Sequence, residues 1–370
     1  MSYQQEYMER AIELALEGVG YVNPNPLVGA VIVKDGRIIG EGYHAKYGDI
    51  HAERMAIQNA TEDTEGADMY VTLEPCSHTG HQPPCVNAIL EAGIKRVYVG
   101  SDDPNPLVNG KGIFFLRSNG VEVVTHVMKE ECDEINYVFF HYIKTKTPYV
   151  ILKYAMTMDG KIASRDGDSK WISCDESRET VHRMRHRFQA VMCGIDTVLA
   201  DDPYLNCRMI ENGNDPIRII CDSNLRIPLS SRIVSTADKI KTFVATSDIV
   251  SQTKKLKVDE LKKYNVGILM FPSVRGHIDV RSLMSILGKM RIDSVLVEGG
   301  GNLNYSLLEA DLVNEVRVFM APKMIGGRDA ITPAEGQGIA LMKDAVSFEL
   351  KETGLIGDDI YARYIRKEAL

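Results

Sequence analysis

The stretch "EPCSHTGHQPPC", residues 74–85, decides how the first half of the chain is interpreted. It holds two cysteines, Cys76 and Cys85, with two histidines and two prolines between them. Such a segment could close a disulfide, bind a metal ion or form a surface loop that contains thiols. The chain has seven cysteines, an odd number, and an acidic amphipathic N-terminus without a signal-peptide core. These features favour a reducing, cytoplasmic setting and argue against the disulfide.

A third metal ligand is offered by "HAE", residues 51–53, which opens a predicted helix. His51, Cys76 and Cys85 supply one nitrogen and two sulfurs, a set that suits Zn²⁺ and leaves a fourth position for water. Glu53 is then available to carry a proton from the attacking water to a substrate. In an alternative structural site, His78 and His81 would join the two cysteines, but His51 and Glu53 would have no role.

Apolar strands alternate with helical segments along the chain, which predicts α/β layered sheets. A predicted helix ends before Pro148, and after it the alternation of apolar strands and helices begins again. We therefore predict two domains, residues 1–146 and 147–370. The net charge of −8 argues against a general nucleic-acid binder. No apolar run approaches the length that spans a membrane.

The second half contains "VLVEGGGNLN", in which an apolar strand leads into Gly299–Gly301 and then a helix. Such a turn lets the backbone approach a pyrophosphate, although many glycine-rich turns bind nothing. Trp171, the only tryptophan, is interpreted as either a packing anchor or a stacking platform. The run "HRMRHR", residues 182–187, predicts a solvated helix face from which one or two arginines could reach a phosphate.

The order His-x-Glu, then Pro-Cys and a second cysteine, is the signature of zinc nucleobase deaminases, here with a longer cysteine spacing. With "NPNPLVGAVIV", "GYHAKYGDIHAE" and "DDPNPLVNGKG", the chain resembles the bifunctional riboflavin-biosynthesis deaminase/reductase family over nearly its whole length. The resemblance implies a cytidine-deaminase-like three-layer α/β/α domain followed by a dihydrofolate-reductase-like α/β domain.

For the first domain, the resemblance implies hydrolytic removal of the 2-amino group from a diaminopyrimidinone ribosylamino 5′-phosphate. The zinc ligands would be His51, Cys76 and Cys85, the proton shuttle Glu53, and the substrate contacts Asn25, His44, Asp103 and Asn105. Simpler roles are open, since both asparagines precede prolines and Asp103 could stabilise a loop. The family often has Lys or Arg where this chain has His81, so how the phosphate is held there is open.

For the second domain, the resemblance implies NADPH-dependent reduction of the ribosyl chain to ribityl. The NADPH contacts would be Ala155, Trp171, Thr197, Asp201, Ser223 and the loop Gly300, Gly301, Asn302, Leu303, Asn304, Tyr305 and Ser306. The sugar-phosphate contacts would be Lys153, Ser169, Arg185, Leu205, Arg208 and Glu298. The proton donor for the reduction is left open between Lys153, Glu298 and water.

We therefore expect a cytoplasmic enzyme that uses one zinc ion per chain and NADPH, and acts on small phosphorylated pyrimidines. We expect no nucleic-acid or membrane partner, and association of the chain with copies of itself. Two alternatives stay open. One is the same zinc chemistry on another nucleobase, a nucleoside or tRNA adenine, with a non-catalytic second domain. The other is a zinc-stabilised module without catalytic activity.

Overall fold

The computed structural model describes residues 3–78, 83–106, 108–274 and 276–367, with side chains from Gln5 onward. His81 lies outside the described residues. The chain divides into two compact units, Met1–Lys146 and Thr147–Leu370. Among the described residues, no helix is both long and apolar enough to cross a membrane. All seven cysteines are free thiols, so the argument against a disulfide holds.

The first unit is built on a five-stranded sheet. Its helices are α1 (Tyr3–Leu16), α2 (Ala52–Gln58), α3 (Cys85–Glu91), α4 (Lys111–Ser118) and α5 (Lys129–Thr145). Its strands are β1 (Gly29–Lys34), β2 (Arg37–Tyr43), β3 (Asp68–Leu73), β4 (Arg96–Ser101) and β5 (Glu122–Val124), in the order β2-β1-β3-β4-β5. β1 is antiparallel to β2 and β3, whereas β3, β4 and β5 are parallel.

Buried side chains alternate between the two faces of this sheet. Ile32 of β1 packs in the cluster that contains residues of α2, α3 and α4. Its neighbour Val31 packs on the opposite face, in the cluster that contains residues of α1 and α5. Because successive strand residues point to opposite faces, both faces are apolar and both are covered by helices. The predicted three-layer α/β/α arrangement is confirmed.

The second unit is built on a nine-stranded sheet. Its helices are α6 (Asp175–Arg187), α7 (Ile195–Asp201), α8 (Arg232–Ser235), α9 (Asp248–Thr253), α10 (Lys255–Lys263), α11 (Val280–Lys289) and α12 (Gly301–Glu309), with a 3₁₀ turn at Met342–Asp344. The strands of the sheet are β6 (Tyr149–Thr157), β7 (Ala190–Gly194), β8 (Ile217–Cys221), β9 (Thr242–Ser247), β10 (Val266–Phe271), β13 (Ser294–Val297), β14 (Glu315–Ala321), β15 (Phe348–Ile356) and β16 (Asp359–Arg366). A separate hairpin joins β11 (Ser273–Val274) and β12 (His277–Ile278).

The order across the large sheet is β10-β9-β8-β7-β13-β6-β14-β16-β15. The first seven strands in this order, ending with β14, are parallel to one another. β16 pairs antiparallel with β14, and β15 pairs antiparallel with β16. The carboxyl ends of parallel strands meet at one edge, where α/β proteins bind their ligands. The segments that follow β7, β8 and β13 therefore come together at that edge.

One prediction about this unit is wrong. The run at residues 182–187 is not a solvated helix face, because His182 and Met184 are buried and the Arg185 side chain is only 12% exposed. This turn of α6 packs against the segment 206–208, since the thiol of Cys207 donates to the carbonyl oxygen of His182.

Candidate functional site

Three ligand atoms meet beside the N-terminal ends of α2 and α3. His51 is the N-cap of α2, Cys85 is the first residue of α3, and Cys76 lies shortly after β3. His51 Nδ1 lies 3.2 Å from Cys85 Sγ and 3.6 Å from Cys76 Sγ, and the three ligand atoms lie within 4.8 Å of one another. A tetrahedral zinc ion with ordinary bond lengths needs a nitrogen–sulfur separation of about 3.5 Å. The residues therefore fit the ion.

The donor chemistry agrees with this geometry. The hydrogen bond with the Cys85 side chain outweighs burial and lowers the pKa of Cys76 to about 4, which favours the thiolate, the form that binds metal. The same hydrogen bond raises the pKa of Cys85. The group contains only His51, Cys76 and Cys85 among the described residues, so His78 does not complete a closed site. On a tetrahedral ion, these three ligands would leave the fourth position to a water molecule.

Glu53 lies in the first turn of the same helix and is 3% exposed. Burial raises the pKa of its carboxyl group, and the positive charge of His51 partly offsets that rise. A carboxyl group with a raised pKa can both take up and release a proton near neutral pH. Glu53 is thus placed and tuned for proton transfer beside the metal ligands.

Asn25 and His44 form a hydrogen-bonded pair next to this cluster. His44 Nδ1 lies 3.1 Å from the carbonyl oxygen of Ile50, which can only accept, so Nδ1 carries the proton. His44 Nε2 then accepts from the Asn25 amide at 3.1 Å. Burial lowers the pKa of His44, in keeping with a neutral ring. The rings of His44 and His51 are 5.6 Å apart, which brings this predicted pair to the metal site.

Asp103 is buried, and one of its oxygens accepts the backbone N–H of Asn105 at 2.8 Å. It therefore performs the loop-stabilising role that was the simpler interpretation. Burial raises its pKa to about 6, with a further contribution from the negative charges of Glu74 and Cys76. Asp103 is thus close enough to the cluster to respond to its charge.

Glu74 is a site-building residue that sequence reasoning missed. Its buried carboxylate accepts the backbone N–H groups of Gly110 at 2.9 Å and Gly112 at 3.0 Å. These are the first N–H groups of α4, which a helix leaves without internal partners. A Cβ at Gly112 would lie 2.0 Å from the carbonyl oxygen of Pro75, so glycine is required there. The only sequence signal was an acidic residue before Pro75 and the glycines of "NGKG".

The second site lies at the carboxyl edge of the parallel strands in the other unit. Gly299 and Gly300 have φ of 118° and 88°, a region that favours glycine. A Cβ at Gly299 would lie 3.0 Å from Thr197 Oγ1, so this turn and the start of α7 are in close contact. The turn leads directly into the N-terminus of α12, an arrangement that suits phosphate groups.

A buried charge cluster adjoins this turn. Glu298 accepts from Arg185 Nε at 2.5 Å and Nη2 at 2.9 Å, and Lys153 Nζ lies 3.7 Å from its second oxygen. Burial alone would raise the pKa of Glu298, but the facing cations Arg185 and Lys153 outweigh it and bring the value to about 2. Burial lowers the pKa of Lys153, the attraction of Glu298 acting in the opposite direction.

The other predicted NADPH and sugar-phosphate contacts differ in their exposure and in their hydrogen-bond partners. Trp171 is 58% exposed and is not a packing anchor, and the Arg178 guanidinium lies 4.6 Å from its ring centre. Ser169 donates to Asp201 at 2.9 Å, and the hydroxyl of Ser223 accepts the N–H of Ile278. Leu205 is buried.

The predicted cofactor contacts at residues 300–306 lie where the sequence predicted the start of a helix. From Gly301 this segment is the first part of α12, and the side chains of Leu303 and Asn304 are buried in the protein. The Asn304 amide donates to the carbonyl oxygen of Pro333. In this segment a ligand can reach the backbone and the less buried side chains.

Comparisons with known proteins cover both units. Residues 1–101 match the sequence model of the cytidine and deoxycytidylate deaminase zinc-binding region, and residues 148–362 match that of the RibD C-terminal domain. The riboflavin biosynthesis protein RibD of Actinobacillus pleuropneumoniae is 51% identical over 97% of this chain and 94% of its own length. The corresponding protein of Aquifex aeolicus is 40% identical, over 96% of each chain.

Two solved structures resemble the whole chain. One is a diaminohydroxyphosphoribosylaminopyrimidine deaminase/5-amino-6-(5-phosphoribosylamino)uracil reductase from Thermotoga maritima, with a TM-score of 0.86 and 37% identity over 99% of both chains. The other is RibD of Acinetobacter baumannii, with a TM-score of 0.87 and 35% identity over 99% of both chains.

Proposed function

The chain belongs to the family of riboflavin biosynthesis proteins RibD, and we propose that its two activities are carried by the metal-ligand cluster at His51 and the charge cluster at Glu298. It is a bifunctional enzyme with a zinc-dependent deaminase region and an NADPH-dependent reductase domain. This confirms the resemblance inferred from the sequence and removes the two alternatives left open there. The proposed substrates are those in the name of the Thermotoga relative: the diaminopyrimidine ribosylamino phosphate, and then its deaminated uracil product.

The observation that carries the deaminase assignment is the buried Glu53 beside three metal ligands, the group found among the described residues. Zinc held by His51, Cys76 and Cys85 would activate a water molecule near neutral pH. Glu53 would take the proton from that water and pass it to a ring nitrogen; it would then move the proton of the newly added hydroxyl group to the amine, so that the C=O bond forms as ammonia departs. Asn25 and His44 on one side, with Asp103 and Asn105 on the other, are proposed to hold the pyrimidine.

In the reductase step, NADPH supplies a hydride to the imine or aldehyde carbon of the open-chain sugar. A proton must then reach the attached nitrogen or oxygen. Glu298 has a pKa of about 2 and is engaged by Arg185, so it is ionised and has no proton to give. Lys153 faces Glu298 and is largely shielded from solvent, and burial lowers its pKa, so it releases a proton more readily than an exposed lysine; we assign it as the proton donor. Lys153→Met is expected to keep NADPH binding and to lose reduction, whereas unchanged turnover would leave water as the donor.

The sugar phosphate needs a cation that is not already neutralised. Arg185 is held by Glu298 on two nitrogens, which makes it a poor candidate. Arg208 is bonded to the neutral Asn206 side chain, and burial together with repulsion from Arg185 lowers its pKa. A phosphate dianion would relieve that repulsion, so Arg208 is the proposed phosphate ligand.

The proposed setting is the cytoplasm, without nucleic-acid or membrane partners, and with the chain paired to a second copy of itself. Support for the pairing comes from β15, the outermost strand of the large sheet. It exposes Leu350 and Leu355 beside an edge that no strand of this chain covers among the described residues. Sedimentation analysis of the purified chain and of Leu355→Lys tests this, and a wild-type monomer would contradict it.

The sharpest test of the deaminase assignment is Glu53→Gln, which removes proton transfer but keeps the shape of the side chain. Ammonia release from the diaminopyrimidine phosphate should fall by a factor on the order of 10² to 10⁴. Zinc content by metal analysis should stay at one ion per chain. NADPH-dependent reduction of the supplied uracil substrate is the internal control. A variant that retains zinc and full ammonia release would refute the role of Glu53.

A further inference from the structure

The loop that carries Asn25 is held by hydrogen bonds between Leu27 and a side chain 109 positions later in the sequence. Asn136 lies on α5 and is 2% exposed. Its Oδ1 accepts the backbone N–H of Leu27 at 2.8 Å, and its Nδ2 donates to the carbonyl oxygen of Leu27 at 2.9 Å. One amide side chain thus satisfies both backbone groups of Leu27, as a neighbouring strand would.

The fastening point lies next to the residues that approach the metal site. Leu27 is two residues after Asn25, whose amide bonds His44 at 3.1 Å, and it precedes Val28, whose carbonyl accepts the N–H of His44 at 2.9 Å. This segment between α1 and β1 has no strand or helix of its own. Its position therefore depends on the apolar packing of Val22 and Leu27 and on individual hydrogen bonds, among which the two from Asn136 are buried.

We propose that Asn136 is a positioning residue for the deaminase reaction: by holding Leu27 it sets where Asn25 and His44 meet the pyrimidine. The inference rests on the proposed function, in which Asn25 and His44 contact substrate. Without the amide, the buried N–H and C=O of Leu27 lose their partners, and the segment must shift to regain hydrogen bonds. The zinc ligands lie on α2, on α3 and after β3, so metal binding does not depend on Asn136.

The test compares four variants of the full-length chain: Asn136→Leu, Asn136→Ala, Asn25→Ala and Cys132→Ala. Leucine keeps much of the shape of asparagine and cannot bond Leu27. Cys132 is buried on the same helix one turn earlier and packs against Gly100, so Cys132→Ala is a control for general loosening of α5. For each variant, KM and kcat of ammonia release, zinc content and reduction of supplied uracil substrate are measured.

The expected result for both Asn136 variants is a KM raised on the order of 10-fold or more, with kcat changed less, zinc retained and reduction unaffected. Cys132→Ala should lower the melting temperature and leave KM within about twofold of wild type. The inference is overturned if Asn136→Leu keeps the wild-type KM, if it loses zinc, or if Cys132→Ala raises KM equally.

Asn25→Ala separates this inference from the proposed function. If it raises KM while Asn136→Leu does not, only the positioning role of Asn136 fails. If Asn25→Ala itself has the wild-type KM, the proposed substrate contact fails, and the positioning inference fails with it.

Discussion

Glu298 shows how a single buried carboxylate organises a cluster of charged side chains. Its side chain is 7% exposed and faces Arg185 and Lys153, so its charge is needed to keep two cations inside the protein. A buried ion pair adds little net stability compared with apolar groups. Removing one partner, however, leaves the other charge buried and unpaired, at a cost of about 3–5 kcal/mol. Glu298 therefore both orients Lys153 and makes the cluster sensitive to acid.

The acid sensitivity has a definite sign. The pKa of Glu298 is about 2 when folded and near 4.5 when unfolded, so its stabilisation is fully present above pH 5. It is lost as the pH falls from about 5 towards 2, by about 3 kcal/mol in total. Urea unfolding of the second unit, followed by Trp171 fluorescence, should show this loss in the wild-type protein.

The matched variant for this prediction is Glu298→Gln. It should be less stable at pH 7, because Arg185 and Lys153 lose their counter-charge, and its stability should change less steeply between pH 5 and 2. Parallel pH curves for the two proteins would show that Glu298 is not the group responsible.

At the scale of elements, the junction between β13 and α12 depends on glycine. Alanine at Gly300, where φ is 88°, costs about 1–2 kcal/mol in backbone strain. The added methyl group would also stand 3.8 Å from Thr197 Oγ1, on the backbone proposed to face the cofactor phosphates. Gly300→Ala should therefore weaken NADPH binding on the order of 10-fold, measured by titration of Trp171 fluorescence.

Gly354→Ala is the control for this substitution. Gly354 lies in β15, has no positive φ, and a Cβ there meets nothing within 4 Å. Its NADPH affinity should equal that of the wild type. Equal affinities for all three proteins would mean that the glycine turn does not contact the cofactor.

The sequence predicted the junction of β13 and α12, because β13 is an apolar run that leads directly into Gly299–Gly301. It did not predict the helices α7 to α10 or the hairpin β11–β12 individually, which have short local patterns and depend on packing. The error at residues 182–187 has the same origin. A run of His and Arg has the composition of a surface, and only the Glu298 carboxylate, more than a hundred residues later, explains why Arg185 is buried.

The sites were predicted unevenly for a related reason. The ligands His51, Cys76 and Cys85 are chemically distinctive residue types, and the structure brings them together. Glu74 and Asn136 were missed because each acts by hydrogen bonding to the backbone of a distant segment. Nothing in the sequence distinguishes them from other glutamates and asparagines. The NADPH and sugar-phosphate contacts rested on resemblance and stay predictions.

For the whole molecule, the consequential feature is that each unit has its own core and its own candidate site. The clusters around β1, β3 and β4 contain only residues of the first unit, and those around β7, β8 and β13 contain only residues of the second. The metal ligands all belong to the first unit, and the Glu298 cluster belongs to the second. Loss of metal should therefore act on one activity alone.

Removal of zinc by dialysis against a chelator tests that separation. Ammonia release should vanish and return when zinc is added back, since the ligands also tie α2 and α3 to the segment after β3. Reduction of the supplied uracil substrate by NADPH should stay within about twofold of the untreated protein, because the three ligands found among the described residues all lie in the first unit. Glu53→Gln treated in parallel distinguishes loss of proton transfer from loss of metal. If reduction disappears together with deamination and zinc restores both, the two units do not operate independently.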